Sequence, residues 1–313
     1  MDTIQIIILA IIQGLTEFLP VSSSGHLILV KEFSTSSAGQ GQAFDVALHI
    51  GTAIAVVFYF RKDLFNILSG WIKSLQTKQQ TQESTLGWGI IIGTIPACVF
   101  GLFIKVFFDE KLQHPLIIPF TLIIFGILLG WASIYGKNNK KDISELSIKD
   151  ALIIGCAQAL ALIPGTSRSG ITITTALFKG FSPVAAARFS FLLSVPAIFM
   201  AGGLHVIKFI TSSDTVNWVE MGLGMVVSAI VALACIHYFL KLIQKINMIP
   251  FVIYRVILGA ILIFVFAGQA TPKADAQKNV SELSEIIKTG HKKTAILHKS
   301  VILQAKGNNV TVL

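Results

Sequence analysis

Six apolar runs, each close to the length of a membrane span, constrain this chain more than any other feature. They cover residues 43–60, 86–104, 116–135, 189–207, 220–240 and 250–268. A transmembrane helix needs about 20 predominantly apolar residues. Only 13% of the residues are charged, against about 25% in soluble globular domains. The sequence therefore predicts an all-α polytopic membrane protein that uses the bilayer as its solvent.

Lysine and arginine are distributed unevenly between the loops that join these runs. If the six runs alternate in direction, the loops on one side carry 12 cationic residues and those on the other side carry 4. The positive-inside rule places the richer set in the cytoplasm. Juxtamembrane anchoring then explains the net charge of +9, and no nucleic-acid partner is predicted. The alternation requires that residues 4–30 and 150–178 do not cross as simple spans, so we predict that each is a re-entrant or broken helix element.

These two elements resemble each other. QGLTEFLPVSSSG at 13–25 and QALALIPGTSRSG at 158–170 both open with Gln, contain Pro and close on Gly, at an offset of 145 residues. The same offset places FDVALHIGTAIAVV at 44–57 over FSFLLSVPAIFMAG at 189–202. Chance similarity of Ser, Gly and Pro is the simpler alternative, but one offset shared by two features favours duplication. With three spans and one re-entrant element each, the halves would have inverted topology, which places a polar site near the bilayer midplane. We therefore predict that the two elements enter from opposite faces of the membrane and meet near the midplane.

The predicted membrane domain covers residues 1–268, with a first repeat over about 1–135 and a second over about 146–268. Irregular backbone at membrane depth is tolerated only where it is buried in protein or lines a wet cavity. The Pro, Gly and Ser residues of the two re-entrant elements suit such breaks. Residues 269–313 form a polar, Lys-rich C-terminal tail to which no function is assigned.

The first element carries a carboxylate within an apolar setting. Gln13 and Glu17 are four residues apart and so share one helix face just before the break. A glutamate at bilayer depth costs about 2.5–3.5 kcal/mol and needs a partner. Glu17 is therefore a candidate metal ligand or general base, with a helix-capping role near the interface as the alternative.

A hydroxyl-rich stretch follows Glu17. Three serines and a histidine close the break: Ser22, Ser23, Ser24 and His26. One or two of these hydroxyls are expected to bond the backbone of the break. A histidine three residues from a serine also offers a base–hydroxyl pair for nucleophilic chemistry.

The second element carries a pattern suited to an anion. PGTSRSGIT at 164–172 places one arginine, Arg168, among small and hydroxyl residues. Small residues allow successive backbone N–H groups to converge on an anion. A guanidinium adds the bidentate clamp that phosphate prefers. The predicted phosphate cradle consists of Arg168 with Gly165, Thr166, Ser167, Ser169, Gly170 and Thr172. Gln13, Ser22 and Ser24 of the first element complete the predicted set of diphosphate-binding residues.

GLTEFLPVSSSGH, PGTSRSGIT, FSFLLSVPAI and IPFVIYR together closely resemble the undecaprenyl-diphosphate phosphatase family of the bacitracin-resistance type, over roughly residues 4–268. The family signatures (E/Q)xxxE and PGxSRSxxT match without a gap. The resemblance implies that Arg168 clamps the diphosphate and that Glu17 is the base or metal carboxylate, with Ser23 or His26 attacking. Many relatives have Glu where this chain has Gln13, which weakens any mechanism that needs two carboxylates on one metal.

The resemblance also implies the biological setting. The expected activity is hydrolysis of undecaprenyl diphosphate to the monophosphate, which recycles the lipid carrier for peptidoglycan and other cell-wall polymers and confers bacitracin resistance. A divalent cation, Mg²⁺ or Ca²⁺, held by Glu17 and Gln13, is the expected cofactor. The expected location is the inner or plasma membrane of a bacterium, with a polyprenyl diphosphate lipid as substrate and a homodimer as one option for assembly.

Three further polar residues have two interpretations each. Asp45 and His49 are four residues apart and either line the cavity or form a structural pair. Arg255, in IPFVIYR, either reaches the membrane surface or supports the site from within the last span. A secondary transporter or lipid flippase is the rival function, because inverted repeats with broken helices are typical of transporters. A Ser–His intramembrane protease is disfavoured because it gives Arg168 no role.

Overall fold

The computed structural model describes residues 3–33, 42–107, 116–211 and 217–266. Within these ranges the chain is helical, apart from short connections and one isolated bridge between Lys141 and Phe181. Two 3₁₀ turns lie at Ile143–Glu145 and Leu160–Leu162. The α-helices of the described ranges are α1 (Thr3–Thr16), α2 (Ser23–Phe33), α3 (Gln42–Tyr59), α4 (Arg61–Thr77), α5 (Gln82–Phe107), α6 (Ile117–Tyr135), α7 (Ile148–Ala159), α8 (Arg168–Phe178), α9 (Pro183–Thr211), α10 (Trp218–Leu242) and α11 (Ile249–Phe266).

The predicted spans agree well with these helices. In the described part of the chain, α5, α6, α9, α10 and α11 are each long and apolar enough to cross a membrane, and α3 qualifies when it is taken together with α4. Each of the six apolar runs thus coincides with one helix. The prediction of an all-α polytopic membrane protein is confirmed.

The segment after α3 differs from the expectation. Residues 61–85 were expected to form a loop, but Arg61–Thr77 is the helix α4, bent by 76° from α3. Its apolar residues recur every three or four positions between polar ones, so the sequence shows no continuous apolar run there. This spacing is typical of a helix with one apolar side.

Each predicted re-entrant element is a helix, an irregular turn and a second helix. The first helix of the chain, α1, has 14 residues. At 1.5 Å per residue it reaches about 21 Å, less than the ~30 Å hydrocarbon core. The second helices, α2 and α8, have 11 residues each and start at Ser23 and Arg168, the same offset of 145 seen in the sequence. The described backbone therefore supports the duplication.

The two halves also exchange packing partners. Helix α1 packs on α10, and α7 packs on α5, so the first helix of each half lies against the last helix but one of the other half. The contact between α5 and α7 is close enough that a Cβ on Gly155 would lie 2.3 Å from the carbonyl oxygen of Gly93. Small residues at such crossings are typical of membrane helices. The repeat boundaries and the membrane orientation stay predictions, and the tail at 269–313 lies outside the described residues.

Candidate active site

A strained serine marks the end of each irregular turn. Ser22 has a φ of 72° and Ser167 a φ of 70°, and the helices α2 and α8 begin at the next residue. A non-glycine residue in this left-handed region costs about 1–2 kcal/mol. The second turn also contains Gly165 with a φ of 87°, where a Cβ would lie 2.2 Å from Oγ1 of Thr121. We call residues 17–26 the first tip and residues 163–172 the second tip.

The two tips meet at the carboxylate of Glu17. Its Oε1 accepts a hydrogen bond from Nη2 of Arg168 at 2.8 Å, across 151 residues of sequence. Its Oε2 accepts from Oγ of Ser23 at 2.8 Å and from Nε2 of Gln13 at 3.0 Å. The side chain of Glu17 is 6% exposed. The prediction that the two elements meet is therefore confirmed, and the carboxylate has the partners that its burial requires.

Several polar atoms at the meeting point have no partner among the described residues. They are Nη1 of Arg168, Oγ1 of Thr166 and Oε1 of Gln13, all of them buried. Buried polar groups are normally hydrogen-bonded, because leaving one unpaired costs about 1–3 kcal/mol. Arg168 and Thr166 thus present donors that oxygen atoms of a bound anion would satisfy.

The histidine of the first tip contacts a partner that the sequence did not indicate. Nδ1 of His26 lies 2.7 Å from the carbonyl oxygen of Ser22, and Nε2 lies 2.6 Å from the hydroxyl of Tyr254 on α11. A carbonyl oxygen only accepts, so Nδ1 carries the proton. The expected base–hydroxyl pair between His26 and a serine side chain is corrected here: the hydroxyl of Ser23 donates to Glu17 instead, because the turn brings the carboxylate to it.

Arg255 bonds the backbone of both tips. Its side chain is fully buried, and its guanidinium donates to the carbonyl oxygens of Pro20 at 3.4 Å, Gly165 at 3.2 Å and Thr166 at 2.9 Å. Its Nε donates to the carbonyl oxygen of Leu122 on α6 at 3.1 Å. Of the two interpretations offered for Arg255, support of the site is confirmed and extension to the membrane surface is wrong.

The hydroxyl groups predicted to bind phosphate are largely engaged with protein. Ser169 donates to the carbonyl oxygen of Leu19 at 2.8 Å, which ties the second tip to the first. Ser167 caps α8 by accepting from the N–H of Gly170, and Thr172 bonds the backbone of Arg168. Ser22 and Ser24 lie 3.1 Å apart, hydroxyl to hydroxyl. Ser167, Ser169 and Thr172 therefore hold the second tip in shape, while Arg168 and Thr166 present buried donors without a partner among the described residues.

Of the two polar residues predicted on α3, His49 contacts the site. Nδ1 of His49 lies 2.9 Å from Nε2 of Gln13 and 3.4 Å from Oε2 of Glu17, and its side chain is 38% exposed. Asp45 lies one turn earlier on the same helix.

The described residues contain no group of three or more His, Cys, Asp and Glu side chains spaced to hold a metal ion. A metal bound here would use oxygen atoms of Gln13 and Glu17, and the metal prediction stays a prediction.

Two residues that support the site were not predicted from the sequence. Thr121 on α6 donates to the carbonyl oxygen of Pro164 at 2.6 Å and so holds the second tip. Tyr254 contacts His26 from 228 residues away. Tyr254 directly precedes Arg255 in the sequence, so a polar pair inside an apolar span was the available signal.

Comparison with known proteins gives one consistent result. Residues 6–261 match the family model for the bacitracin resistance protein BacA. The chain is 53% identical over 270 residues to undecaprenyl-diphosphatase 2 of Stutzerimonas stutzeri, covering 86% of this chain and 100% of that protein. It is 53% identical over 260 residues to undecaprenyl-diphosphatase of Hahella chejuensis, covering 83% of this chain and 97% of that protein. The chain with this two-tipped site therefore belongs to the bacitracin resistance protein BacA family.

Proposed function

We propose that this protein is an integral-membrane phosphatase that removes the terminal phosphate of undecaprenyl diphosphate and leaves undecaprenyl phosphate. The observation that carries the proposal is the contact of Glu17 with both Ser23 and Arg168, where Nη1 of Arg168 has no partner among the described residues. The relatives named as undecaprenyl-diphosphatases support the substrate.

Ser23 is the proposed nucleophile and Glu17 its proton acceptor. The hydroxyl of Ser23 already donates to Oε2 of Glu17 at 2.8 Å, within the range needed for general-base catalysis. The Ser23 oxygen bonds to the terminal phosphorus, the bond to the bridging oxygen breaks, and undecaprenyl phosphate leaves with that oxygen. Water then hydrolyses the phosphoserine to inorganic phosphate, and the proton on Glu17 returns to the Ser23 oxygen.

Arg168 is the proposed charge clamp. Phosphoryl transfer is catalysed largely by positioning and by electrostatic stabilisation of the equatorial oxygens. Nη2 of Arg168 is held by Glu17, so the guanidinium plane is fixed while Nη1 remains open to a phosphate oxygen. The buried hydroxyl of Thr166 offers a second donor to the same anion.

A divalent cation, Mg²⁺ or Ca²⁺, is part of the proposal. Glu17 and the unpaired amide oxygen of Gln13 would contribute two ligands, and Mg²⁺ commonly takes the rest of its ligands from substrate phosphates and water. When bound, such an ion would neutralise charge on the transferring phosphoryl group.

The proposed setting is the inner or plasma membrane of a bacterium. The site would open to the outer face and recycle the lipid carrier for peptidoglycan and other cell-wall polymers. Bacitracin resistance, the property in the family's name, would accompany this activity. Assembly as a homodimer stays a prediction.

Two adjacent serines test the proposal. We expect the purified protein in detergent to release inorganic phosphate from undecaprenyl diphosphate, and Ser23→Ala to abolish most of the release. The matched control is Ser24→Ala, because Ser24 is exposed and its hydroxyl lies against Ser22 rather than Glu17. A protein that moves the lipid but releases no phosphate would instead be a transporter. Full activity in Ser23→Ala would exclude Ser23 as the nucleophile.

A further inference from the structure

Helix α4 has three distinct sides, each with its own chemistry. The packed side consists of Ile67, Gly70, Trp71 and Ser74, which are buried or half-buried against the protein. The apolar side consists of Phe65, Leu68, Ile72 and Leu75, which are 72%, 54%, 44% and 52% exposed. The polar side consists of Lys62, Asn66, Ser69, Lys73 and Gln76, all exposed. Viewed down the helix axis, the apolar side is flanked by the packed side and by the polar side.

Two contacts along the helix fix its orientation on the protein. Trp71 forms an edge-to-face contact with Trp88 of α5, with ring centroids 5.6 Å apart. Near the start of α4, Asp63 accepts a hydrogen bond from Arg188 of α9 at 2.9 Å. The apolar side therefore cannot rotate inward, and its exposure is a stable property of the fold.

The bend determines the direction of α4 in a membrane. With 18 apolar-rich residues, α3 is about 27 Å long, close to the hydrocarbon thickness. When α3 crosses along the membrane normal, a helix bent from it by 76° runs nearly parallel to the membrane plane.

The positive charge of α4 favours an anionic lipid surface. Arg61, Lys62 and Lys73 lie on the helix, and its one acidic residue, Asp63, is paired with Arg188. Juxtamembrane cations contribute about 1 kcal/mol each at an anionic lipid surface. Interfacial helices combine such a polar side with an apolar side buried about 5–10 Å into the headgroup–acyl boundary.

We propose that α4 is an interfacial helix that lies in the membrane surface, with its apolar side in the acyl region and Lys62 and Lys73 among anionic headgroups. The occupant of the exposed side is the bilayer itself, not water and not a second protein. The inference does not depend on the proposed phosphatase activity.

Spin labels on each side test this inference in the full chain. Single cysteines would replace residues 65, 68, 72 and 75 on the apolar side, 62, 66, 69 and 73 on the polar side, and 67 and 71 on the packed side. The native cysteines would first be replaced by serine. Labels at Ile261, an exposed residue of a span, and at Lys137, an exposed residue between helices, provide the lipid and water references.

Power saturation in vesicles of mixed POPC and POPG gives three distinguishable outcomes. We expect the apolar side to be accessible to oxygen, the polar side to the water-soluble nickel reagent, and the packed side to neither. Nickel access equal to that of residue 137 at all four apolar positions would overturn the inference in favour of water. Protection of these positions from both reagents would overturn it in favour of a second copy or another protein.

A second inference concerns Tyr254 and rests on the proposed function. His26 is held at both ring nitrogens, by the carbonyl oxygen of Ser22 and by the hydroxyl of Tyr254. Because Nδ1 carries the proton, Nε2 of the neutral ring accepts from Tyr254. The planes of the tyrosine and histidine rings are parallel within 3°, with ring centroids 5.5 Å apart.

The geometry points to Tyr254 as a positioning residue that fixes the orientation of the His26 ring. It keeps Nδ1 of His26 bonded to the carbonyl oxygen of Ser22, the residue before the proposed nucleophile Ser23, and so holds the turn that presents Ser23 to Glu17. Removing this hydroxyl frees Nε2 to bind water or another donor, so the fraction of correctly oriented imidazole falls. The effect of Tyr254 should therefore be transmitted through His26.

Tyr254→Phe, alone and combined with His26→Ala, tests this role. We expect Tyr254→Phe to lower kcat about tenfold with KM changed less than about twofold, and to have no further effect once His26 is alanine. The matched control is Tyr59→Phe, which removes the hydroxyl of another Tyr–His pair, Tyr59 with His237, away from the tips. Unchanged kcat, or an effect that persists in the His26→Ala background, would overturn the inference. Loss of phosphate release from the wild type would instead reject the proposed function.

Discussion

The two tips share one backbone and carry different chemistry. In each, a buried glutamine precedes an irregular turn, the turn ends on a serine with a φ near 70°, and an 11-residue helix begins at the next residue. At the offset of 145, Glu17 corresponds to Leu162 and His26 to Ile171, while Ser23 corresponds to Arg168. The first tip therefore supplies the acid, hydroxyl and imidazole, and the second supplies the cation.

This difference shows how a duplicated scaffold can form one asymmetric site. The shared backbone brings two helix starts to one point, and only the substituted positions decide which charge each tip presents. The negative and positive tips then satisfy each other through the contact of Glu17 with Arg168. Breaking a buried pair by removing one partner leaves the other charge uncompensated.

The largest expected effect comes from removing the negative charge of the first tip. The equivalent residue of the second half, Leu162, carries no charge. Glu17→Gln keeps the shape and an oxygen that can accept a hydrogen bond, but it removes the carboxylate that takes the proton of Ser23. We expect kcat to fall about 10²–10⁴-fold, the range typical for loss of a general base. Steady-state phosphate release measures this, with Glu145→Gln, at an exposed glutamate outside the tips, as the matched control. Activity within a few-fold of wild type would show that Glu17 is not the base.

Changing the cation without changing its charge should have the next largest effect. Arg168→Lys cannot hold Glu17 with one nitrogen and a phosphate oxygen with another, because lysine is a point charge without a fork. We expect a loss of about 100-fold in kcat/KM. Arg188→Lys is the control, since that arginine forms a half-exposed pair with Asp63 outside the tips. Near-normal turnover in Arg168→Lys would show that the fork is unnecessary.

Equivalent glycines of the two tips should respond differently to alanine. A Cβ on Gly170 would lie 2.6 Å from Nη1 of Arg255, which the carbonyl bonds hold in place, whereas a Cβ on Gly25 would meet no atom closer than 3.4 Å. We expect Gly170→Ala to destabilise the protein by about 1–3 kcal/mol. Gly25→Ala should stay within about 0.5 kcal/mol of wild type. Thermal unfolding in detergent compares the two, and equal shifts would contradict the asymmetry.

The smallest expected effect concerns the strained serines. Glycine relieves about 1–2 kcal/mol of left-handed strain but costs about 0.5–1 kcal/mol of chain entropy. Ser22→Gly should therefore raise the melting temperature slightly. Ser167→Gly should gain less, because the Ser167 hydroxyl caps α8. Valine at either position is the opposing control and should lower the melting temperature, whereas tolerance of valine would show that the left-handed conformation is not required.

The sequence predicted the spans and the tips because their signals are local. Long apolar runs mark the spans, and Pro20, Pro164 and the Gly–Ser clusters mark the turns. The position of α4 was missed because its apolar residues occupy one side only, so no continuous apolar run appears. The partner of His26 was missed because Tyr254 lies 228 residues away, and pairing over such a distance depends on the packing of α11. The bond between Ser23 and Glu17 was missed because it depends on the path of the turn between them.

The buried Arg255 has a consequence for how the protein matures. It lies in the last described helix and bonds the backbone of Pro20, 235 residues earlier, and of Gly165, 90 residues earlier. A ribosome completes α11 after both tips have been made, so the tips wait for their common support until synthesis is nearly over. We therefore expect a nascent chain that ends before α11 to insert its spans yet hold an unassembled site, so that the enzyme becomes active only as a finished chain.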